Sequence, residues 1–319
     1  MQAVSLGGAT PFAVSRLCLG AMYFGSTVPE RTSYALLDGY REAGGNFVDT
    51  ANNYAFWVDG GTGDESETLV GRWLADRSAR EDVVLATKVG ARPRPGGSTL
   101  ADAQGLSAAA VVEQVEGSLR RLRTDRVDLL YTHIHDAATP VEETLRALTD
   151  LVAAGKVRAI GASNLTRAHL AEAVDTSHEL GLASYRALQQ RFSYLAPRST
   201  ADFSPQVLLD DELRVYCADH AIVPLAYGVL LGGAYTRADR PLPPEYQTDR
   251  APRQVATLRA VGTDLGTSPN TVLYAWLLAA GIVPVVGVSR PEQLAEALAA
   301  DALPLPSDSL ALLETARAG

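Results

Sequence analysis

The sequence predicts an α/β protein built as a closed (β/α)8 barrel, the TIM-barrel architecture. Eight short apolar runs alternate with segments of helical period, the chain has 319 residues, and no Pro/Ser/Gly-rich linker divides it. Alternating strands and helices form parallel sheets, and eight such units are enough to close the sheet on itself. A single domain covering residues 1–319 is therefore expected.

The predicted elements alternate along the whole chain. The eight strands are predicted in SRLCLG, NFVDT, VVLATKVG, VDLLYTH, VRAIGASN, RALQQRFS, AIVPLAYG and IVPVVGVS. The helices are predicted in RTSYALLDGYREAG, SETLVGRWLADR, SAAAVVEQVEGSLRRLR, PVEETLRALTDLVAAG, TRAHLAEAVDTSHELG, DDELRVYCADHA and a final pair, APRQVATLRAVGTDLG and SPNTVLYAWLLAAG. Before the first barrel strand, AVSLGGATPFAVS has a Gly-Gly turn between alternating residues and predicts a β-hairpin that caps the barrel floor.

Composition argues against several classes of protein. A net charge of −9 disfavours a nucleic-acid surface, because phosphate binding needs clustered basic residues. The cysteines Cys18 and Cys217 are isolated, so no disulfide framework is expected. Gly281 and Pro284 break the longest apolar stretch, and the N-terminus lacks the pattern of a signal peptide. The expectation is a soluble, cytoplasmic protein that contacts neither nucleic acid nor membrane.

Four polar residues follow neighbouring predicted strands and define a candidate catalytic site. They are Asp49, Tyr54, Lys88 and His133. A free tyrosine has a pKa of about 10, and a lysine beside it favours the phenolate while an aspartate keeps that lysine charged. Of 28 basic residues only Lys88 and Lys156 are lysines, which makes a lysine between apolar neighbours notable. Taken singly, the aspartate could be a helix cap, the tyrosine packing, and the histidine a hydrogen-bonded loop residue.

Nine segments, in order, resemble the aldo-keto reductases. They are VSRLCLGAMYFG, NFVDTANNYAF, ESETLVGRWL, LATKVG, RVDLLYTHIHD, GKVRAIGASN, LQQRFSYL, PLAYGVLLGG and PVVGVSRPEQLAE. The resemblance implies reduction of an aldehyde or ketone to an alcohol by hydride transfer. It implies Tyr54 as the general acid, Lys88 and Asp49 as the partners that adjust its pKa, and His133 as the residue that orients the carbonyl. The implied cofactor is a nicotinamide dinucleotide bound without a Rossmann fold.

The resemblance also implies where that cofactor binds. Ser163, Asn164 and Gln189 match the positions that hold the carboxamide, and Tyr227 matches the aromatic residue that stacks on the nicotinamide. The glycine-rich turn GVLLGG can present backbone N–H groups to the pyrophosphate. The full implied set is Gly20, Ala21, Met22, Asp49, Ser163, Asn164, Gln189, Tyr227, Gly228, Val229, Leu230, Gly232, Gly287, Ser289, Arg290 and Gln293.

Two departures from the family pattern concern the same cofactor. A serine is common where Gly228 stands, so one side-chain contact to the pyrophosphate is missing. Ala297 stands where an asparagine is frequent near the adenosine. Arg290 could pair with a 2′-phosphate or be a solvated loop arginine. NADP(H) is the expected cofactor, and NAD(H) stays an alternative.

Three rival functions share the same residues. The pair His133 and His135 could begin a metal-dependent hydrolase site, but His169, His178 and His220 fall in predicted helices, so no metal is expected. Lys88 could form the Schiff base of a lyase. A cofactor-sensing regulatory subunit on the same fold is the third alternative, and the complete set of four polar residues favours an enzyme.

A small carbonyl compound is the expected partner, bound in a pocket with an aromatic wall. Tyr23 and Phe24 follow the first barrel strand and Trp57 follows Tyr54, so these side chains overhang one side of the barrel mouth. Trp57 could instead only cover the neighbouring helix. The long connections that complete the pocket are predicted at 55–64, 91–105 and 231–252.

Overall fold

Eight parallel strands close into a barrel, which confirms the predicted fold class. The structure, a computed structural model, describes residues 1–7 and 11–318. The barrel strands are β3 (Cys18–Gly20), β4 (Phe47–Asp49), β5 (Val84–Val89), β6 (Val127–Thr132), β7 (Val157–Ser163), β8 (Ala187–Arg191), β9 (Val223–Tyr227) and β10 (Val283–Gly287). They pair in chain order, and β10 closes the ring by pairing with β3. Each lies within one of the eight predicted runs.

Ten α-helices surround the barrel in the described part of the chain. They are α1 (Glu30–Glu42), α2 (Glu65–Asp76), α3 (Ala108–Leu122), α4 (Val141–Ala153), α5 (Arg167–Leu180), α6 (Asp211–Asp219), α7 (Ala251–Asp264), α8 (Pro269–Ala279), α9 (Pro291–Ala299) and α10 (Ser307–Ala318). The first eight were predicted. Helices α9 and α10 were not predicted; they follow the last strand, where α9 packs against α1 and α8, and α10 packs against α7. None of these helices is long and apolar enough to cross a membrane.

The predicted N-terminal hairpin is present and lies at the barrel floor. Its strands β1 (Ala3–Leu6) and β2 (Phe12–Ser15) pair antiparallel, with Leu6 opposite Phe12. Both side chains are buried in a cluster with residues that begin barrel strands, such as Phe47. Burying a side chain of this size contributes roughly 1.5–3 kcal/mol. Gly8, the second glycine of the predicted turn, lies outside the described residues.

The alternation of side chains along each strand explains why polar groups gather at the barrel mouth, the end opposite the floor, where the strands end. Successive strand residues point to opposite faces, so a residue two positions after an inward one also points inward. Five residues of the inner cluster, one on each of five strands, are Phe47, Ala86, Leu129, Ala187 and Leu225. Two positions later on the same strands stand Asp49, Lys88, Tyr131, Gln189 and Tyr227. The floor is therefore apolar and the mouth is polar.

Candidate active site

Lys88 connects Tyr54 and Asp49 at the barrel mouth. Its Nζ donates hydrogen bonds to Asp49 Oδ2 at 2.5 Å, to Tyr54 Oη at 2.5 Å and to the Thr50 carbonyl oxygen at 2.9 Å. The Tyr54 hydroxyl donates to Asp49 Oδ2 at 3.2 Å. Asp49 and Lys88 are 0% exposed and Tyr54 is 8% exposed. The structure thus brings three of the four candidate catalytic residues into direct contact, away from water.

Hydrogen bonds to the neighbouring strand fix the loop that carries Tyr54. The backbone N–H of Thr50 donates to the Ala86 carbonyl at 2.9 Å, and that of Asn52 donates to the Lys88 carbonyl at 3.1 Å. Asn53 Nδ2 donates to the Ala91 carbonyl at 3.0 Å. Since these bonds continue the pairing of β4 with β5 beyond the end of β4, the loop turns back over Lys88 and delivers the phenol to the ammonium group.

Burial sets the protonation state of the tyrosine. Burial first, and then the charge of Asp49, raise the pKa of Tyr54 well above 10. Burial also lowers the pKa of Lys88, while the Asp49 carboxylate opposes that change. The sequence suggested that the lysine would favour the phenolate, but in the folded protein burial outweighs the nearby cation. Tyr54 is therefore a neutral phenol at pH 7, which is the form that can donate a proton.

His133 lies directly after β6, beside the tyrosine. The ring centroids of His133 and Tyr54 are 5.8 Å apart with the planes at 78°. Burial, and secondly the charge of Lys88, lower the pKa of His133 well below 6.5, so the imidazole is neutral. Its Nδ1 is buried without a hydrogen-bond partner among the described residues. A neutral imidazole can still donate one N–H to an oxygen atom.

The residues matched to the carboxamide position surround this group. Ser163 Oγ donates to the Gln189 carbonyl at 2.7 Å, and Gln189 Nε2 donates to Asp49 Oδ1 at 2.9 Å. Asn164 Nδ2 donates to the His133 carbonyl at 2.9 Å, and Asn164 Oδ1 accepts from the Tyr227 hydroxyl at 2.7 Å. Asn164 therefore connects the end of β6 to the aromatic ring of Tyr227. Uncharged amides and hydroxyls of this kind suit a nicotinamide.

The remaining positions matched to the cofactor lie on the same rim of the barrel. The backbone N–H of Ala21 donates to the Asp49 carbonyl at 2.8 Å, which ties the end of β3 to the site. After β10, the N–H and Oγ of Ser289 donate to Gln293 Oε1 at 2.8 and 3.1 Å. Arg290 is exposed beside them. A Cβ placed at Gly232 would meet nothing within 4 Å, so the glycine turn has open space beside that residue. Amides, an aromatic ring and an open turn together fit a dinucleotide.

The aromatic residues at the mouth divide into two groups. Tyr23 and Trp57 are 37% and 48% exposed and lie edge to face at 6.5 Å. Phe24 is 1% exposed and belongs to the main hydrophobic core, so the prediction that it lines the pocket is wrong. The turn in which the Phe24 N–H donates to the Ala21 carbonyl at 3.0 Å directs the chain inward there. The aromatic ring that packs next to Trp57 is that of Phe56, with the two ring centroids 5.1 Å apart.

The second histidine of the HIH sequence has a different neighbour. His135 stacks on His169 of α5, with ring centroids 3.7 Å apart and planes at 11°. Within residues 1–7 and 11–318, no cluster of three or more His, Cys, Asp or Glu side chains could hold a metal ion. Among the described residues, His133 and His135 therefore have no additional side chains near them that would complete a set of metal ligands.

A closed barrel with these residues at its mouth matches the resemblance seen in the sequence, and comparison with known proteins identifies the family. The model of the aldo/keto reductase family matches residues 16–318, and the chain belongs to that family. The curated relatives are named as reductases, oxidoreductases or dehydrogenases, so the family is one of oxidoreductases. Norsolorinic acid reductase stcV of Emericella nidulans is 35% identical over 299 residues, covering 88% of this chain and 72% of that protein.

Two further relatives and one solved structure extend this comparison. The oxidoreductase YrpG of Bacillus subtilis is 32% identical over 96% of this chain and 93% of its own length. An aryl-alcohol dehydrogenase of Pestalotiopsis microspora is 28% identical over 94% of this chain and 78% of its own. The crystal structure of a thermostable aldo-keto reductase with the inhibitor epalrestat has a TM-score of 0.77 and 25% identity, covering 99% of this chain and 100% of that one.

Proposed function

We propose that this protein reduces an aldehyde or ketone to an alcohol with NADP(H), and that Tyr54 is the general acid. The contact of Tyr54 with Lys88 and Asp49, buried at the barrel mouth, is the observation that carries the proposal. The reductase names of the relatives support it. Two buried free thiols, Cys18 and Cys217, are consistent with a reducing compartment, and we propose the cytoplasm as the location.

The protein's own groups handle the proton in this reaction. The nicotinamide cofactor, when bound, supplies the hydride. Tyr54 donates its hydroxyl proton to the carbonyl oxygen as negative charge develops there. Lys88 Nζ, 2.5 Å from Tyr54 Oη, stabilises the phenolate that forms, and Asp49 keeps Lys88 oriented and charged. The neutral imidazole of His133 donates a second hydrogen bond to the same carbonyl oxygen and fixes its direction.

The contacts of Lys88 disfavour the Schiff-base alternative. An imine requires a neutral amine with a free lone pair. Lys88 Nζ instead donates to three oxygen acceptors, on Asp49, Tyr54 and Thr50. Treatment with borohydride in the presence of a carbonyl substrate should leave Lys88 unmodified, and a covalent adduct at Lys88 by mass spectrometry would favour a lyase.

For the cofactor we propose NADPH in preference to NADH. Ser163, Gln189 and Tyr227 would hold the nicotinamide, and Arg290 would pair with the 2′-phosphate. A charge-assisted hydrogen bond of this kind is worth roughly 1.5–3 kcal/mol, or about 10- to 100-fold in affinity. Titration of both reduced cofactors by fluorescence should show that difference, and Arg290→Ala should remove it. Equal dissociation constants in the unchanged protein would remove the reason for preferring NADPH.

For the substrate we propose an aromatic carbonyl compound. The names norsolorinic acid reductase and aryl-alcohol dehydrogenase among the relatives, and the exposed pair Tyr23 and Trp57 at the mouth, favour this class. A panel of aromatic and aliphatic aldehydes and ketones, followed by the loss of NADPH absorbance, tests it. Turnover of aromatic compounds to their alcohols is expected. Tight NADPH binding without turnover of any carbonyl compound would favour a regulatory subunit that senses the cofactor.

A further inference from the structure

Arg191 is a cation at the barrel mouth that the mechanism above does not use. It is the last residue of β8 and pairs with Tyr227 at the end of β9. Because it stands two positions after Gln189, it continues the row of inward-facing side chains to the rim. A Cβ placed at Gly228 would lie 3.9 Å from Arg191 Cγ and within 4 Å of no other distant group. The arginine stem therefore lies along the face of Gly228 where most residues would have a side chain.

Neutral groups from two loops hold the guanidinium of Arg191. It lies 4.5 Å from the ring centroid of Phe203, and its Nη1 donates to Gln206 Oε1 at 2.8 Å, both in the loop between β8 and α6. Its Nε donates to Tyr246 Oη at 3.2 Å, in the loop between β9 and α7. No carboxylate in the described part of the chain is within salt-bridge distance of Arg191. The charge is thus partly buried and fixed in place without a counter-ion of its own.

The turn beside Arg191 offers further donors for an anion. Gly228 and Gly232 both have φ of 70°, a backbone conformation that glycine adopts at little cost. The N–H groups of Val229 and Leu230 donate to no acceptor within the residues described. Consecutive free N–H groups next to an arginine form a site for phosphate oxygens.

We propose that Arg191 binds the pyrophosphate of the nicotinamide dinucleotide, together with the backbone of the turn that begins at Gly228. This rests on the proposed function, since it requires that the protein binds such a cofactor. A permanently charged, planar guanidinium supplies the contact that Gly228, lacking a side chain, does not make. The pyrophosphate is common to NADPH and NADH, so Arg191 contributes affinity to both and does not select between them.

Cofactor titration of variants tests this role without any substrate. Arg191→Met keeps an unbranched stem over Gly228 and removes the charge. Following the quenching of protein fluorescence, we expect its dissociation constants for NADPH and NADH both to rise by roughly 10- to 100-fold, with their ratio unchanged. Arg191→Lys keeps a positive charge and should lose less cofactor affinity than Arg191→Met. Tyr246→Phe removes a neutral acceptor of Arg191 and should change either constant by less than about threefold.

A purely structural role for Arg191 predicts a different pattern. If the residue only holds the two loops together, Arg191→Met and Arg191→Lys would weaken binding equally, and Tyr246→Phe would weaken it in parallel with a lower thermal unfolding midpoint. That result, or unchanged dissociation constants in Arg191→Met, would overturn the assignment. The outcome is separable from a failure of the proposed function, because in that case the unchanged protein would bind neither dinucleotide.

Discussion

The buried pair of Lys88 and Asp49 should show strong energetic coupling when it is taken apart. Nζ and Oδ2 are 2.5 Å apart and both side chains are at most 1% exposed, so solvent does not screen them. At an effective dielectric constant of about 20, Coulomb's law gives an attraction of roughly 7 kcal/mol at that distance, most of which offsets the cost of desolvating two charges. Removing one partner leaves the other charge buried and alone, which costs about 3–5 kcal/mol.

The assay is a double-mutant cycle by urea unfolding at pH 7, with Asp49→Asn, Lys88→Met and the combination. We expect each single variant to lose about 3–5 kcal/mol of unfolding free energy and the double variant to lose no more than either one. Lys156→Met is the matched control, because Lys156 pairs with Glu116 at the surface. This variant should lose at most about 1 kcal/mol of unfolding free energy. Additive losses in the double variant, or single losses as small as that of the control, would refute the reasoning.

The pH dependence of Asp49→Asn gives the cycle a second reading. Burial already lowers the pKa of Lys88, and the variant lacks the carboxylate that opposes this change. Folded Lys88 should then release its proton more readily than the unfolded lysine, which titrates near pH 10.4. A group whose pKa is lower in the folded state is destabilising below its unfolded pKa, so the variant should regain stability as pH rises from 7 to 10. A loss that is constant across that range would contradict the assignment of charge.

Three further predictions concern the pocket, the loop of Tyr54 and the histidine. Trp57→Ala should raise the Michaelis constant for bulky aromatic carbonyl compounds over small ones by about 10- to 100-fold, and an equal change for all substrates would show that Trp57 only packs. A Cβ at Gly61 would lie 2.1 Å from the Ala55 carbonyl oxygen, so Gly61→Ala should lower the unfolding free energy in urea by about 1–3 kcal/mol and should lower turnover. The control Ala55→Gly should not destabilise the protein, because Ala55 has a φ of 70° that glycine adopts readily. Unchanged stability of Gly61→Ala would mean that the loop moves freely. Burial lowers the pKa of His133, so the wild-type protein should lose stability as pH falls below about 6.5. The plot of unfolding free energy against pH should be flatter for His133→Gln. Parallel plots for the two proteins would contradict the neutral, buried imidazole.

Local patterns in the sequence were sufficient for the strands, the first eight helices and the positions of the polar residues at the mouth. Strand alternation places Asp49 and Lys88 facing inward, and the order of elements makes their strands neighbours. The details that were missed depend on the conformation of a turn and on contacts between distant parts of the chain. The turn between Ala21 and Phe24 buries the phenylalanine. The position of Arg191 depends on groups far along the chain, such as Tyr246, which no periodicity relates to it.

The measurement that tests the central claim most directly is the turnover of Tyr54→Phe, with cofactor binding measured on the same preparation. The substitution removes only the hydroxyl that Lys88 contacts at 2.5 Å and keeps the buried ring. If Tyr54 is the general acid, kcat for a confirmed carbonyl substrate should fall by on the order of 100-fold or more. The NADPH dissociation constant should stay within about twofold, because the ring and the groups assigned to the cofactor remain in place. Turnover close to that of the unchanged protein, with NADPH bound normally, would contradict the assignment of Tyr54 as the proton donor.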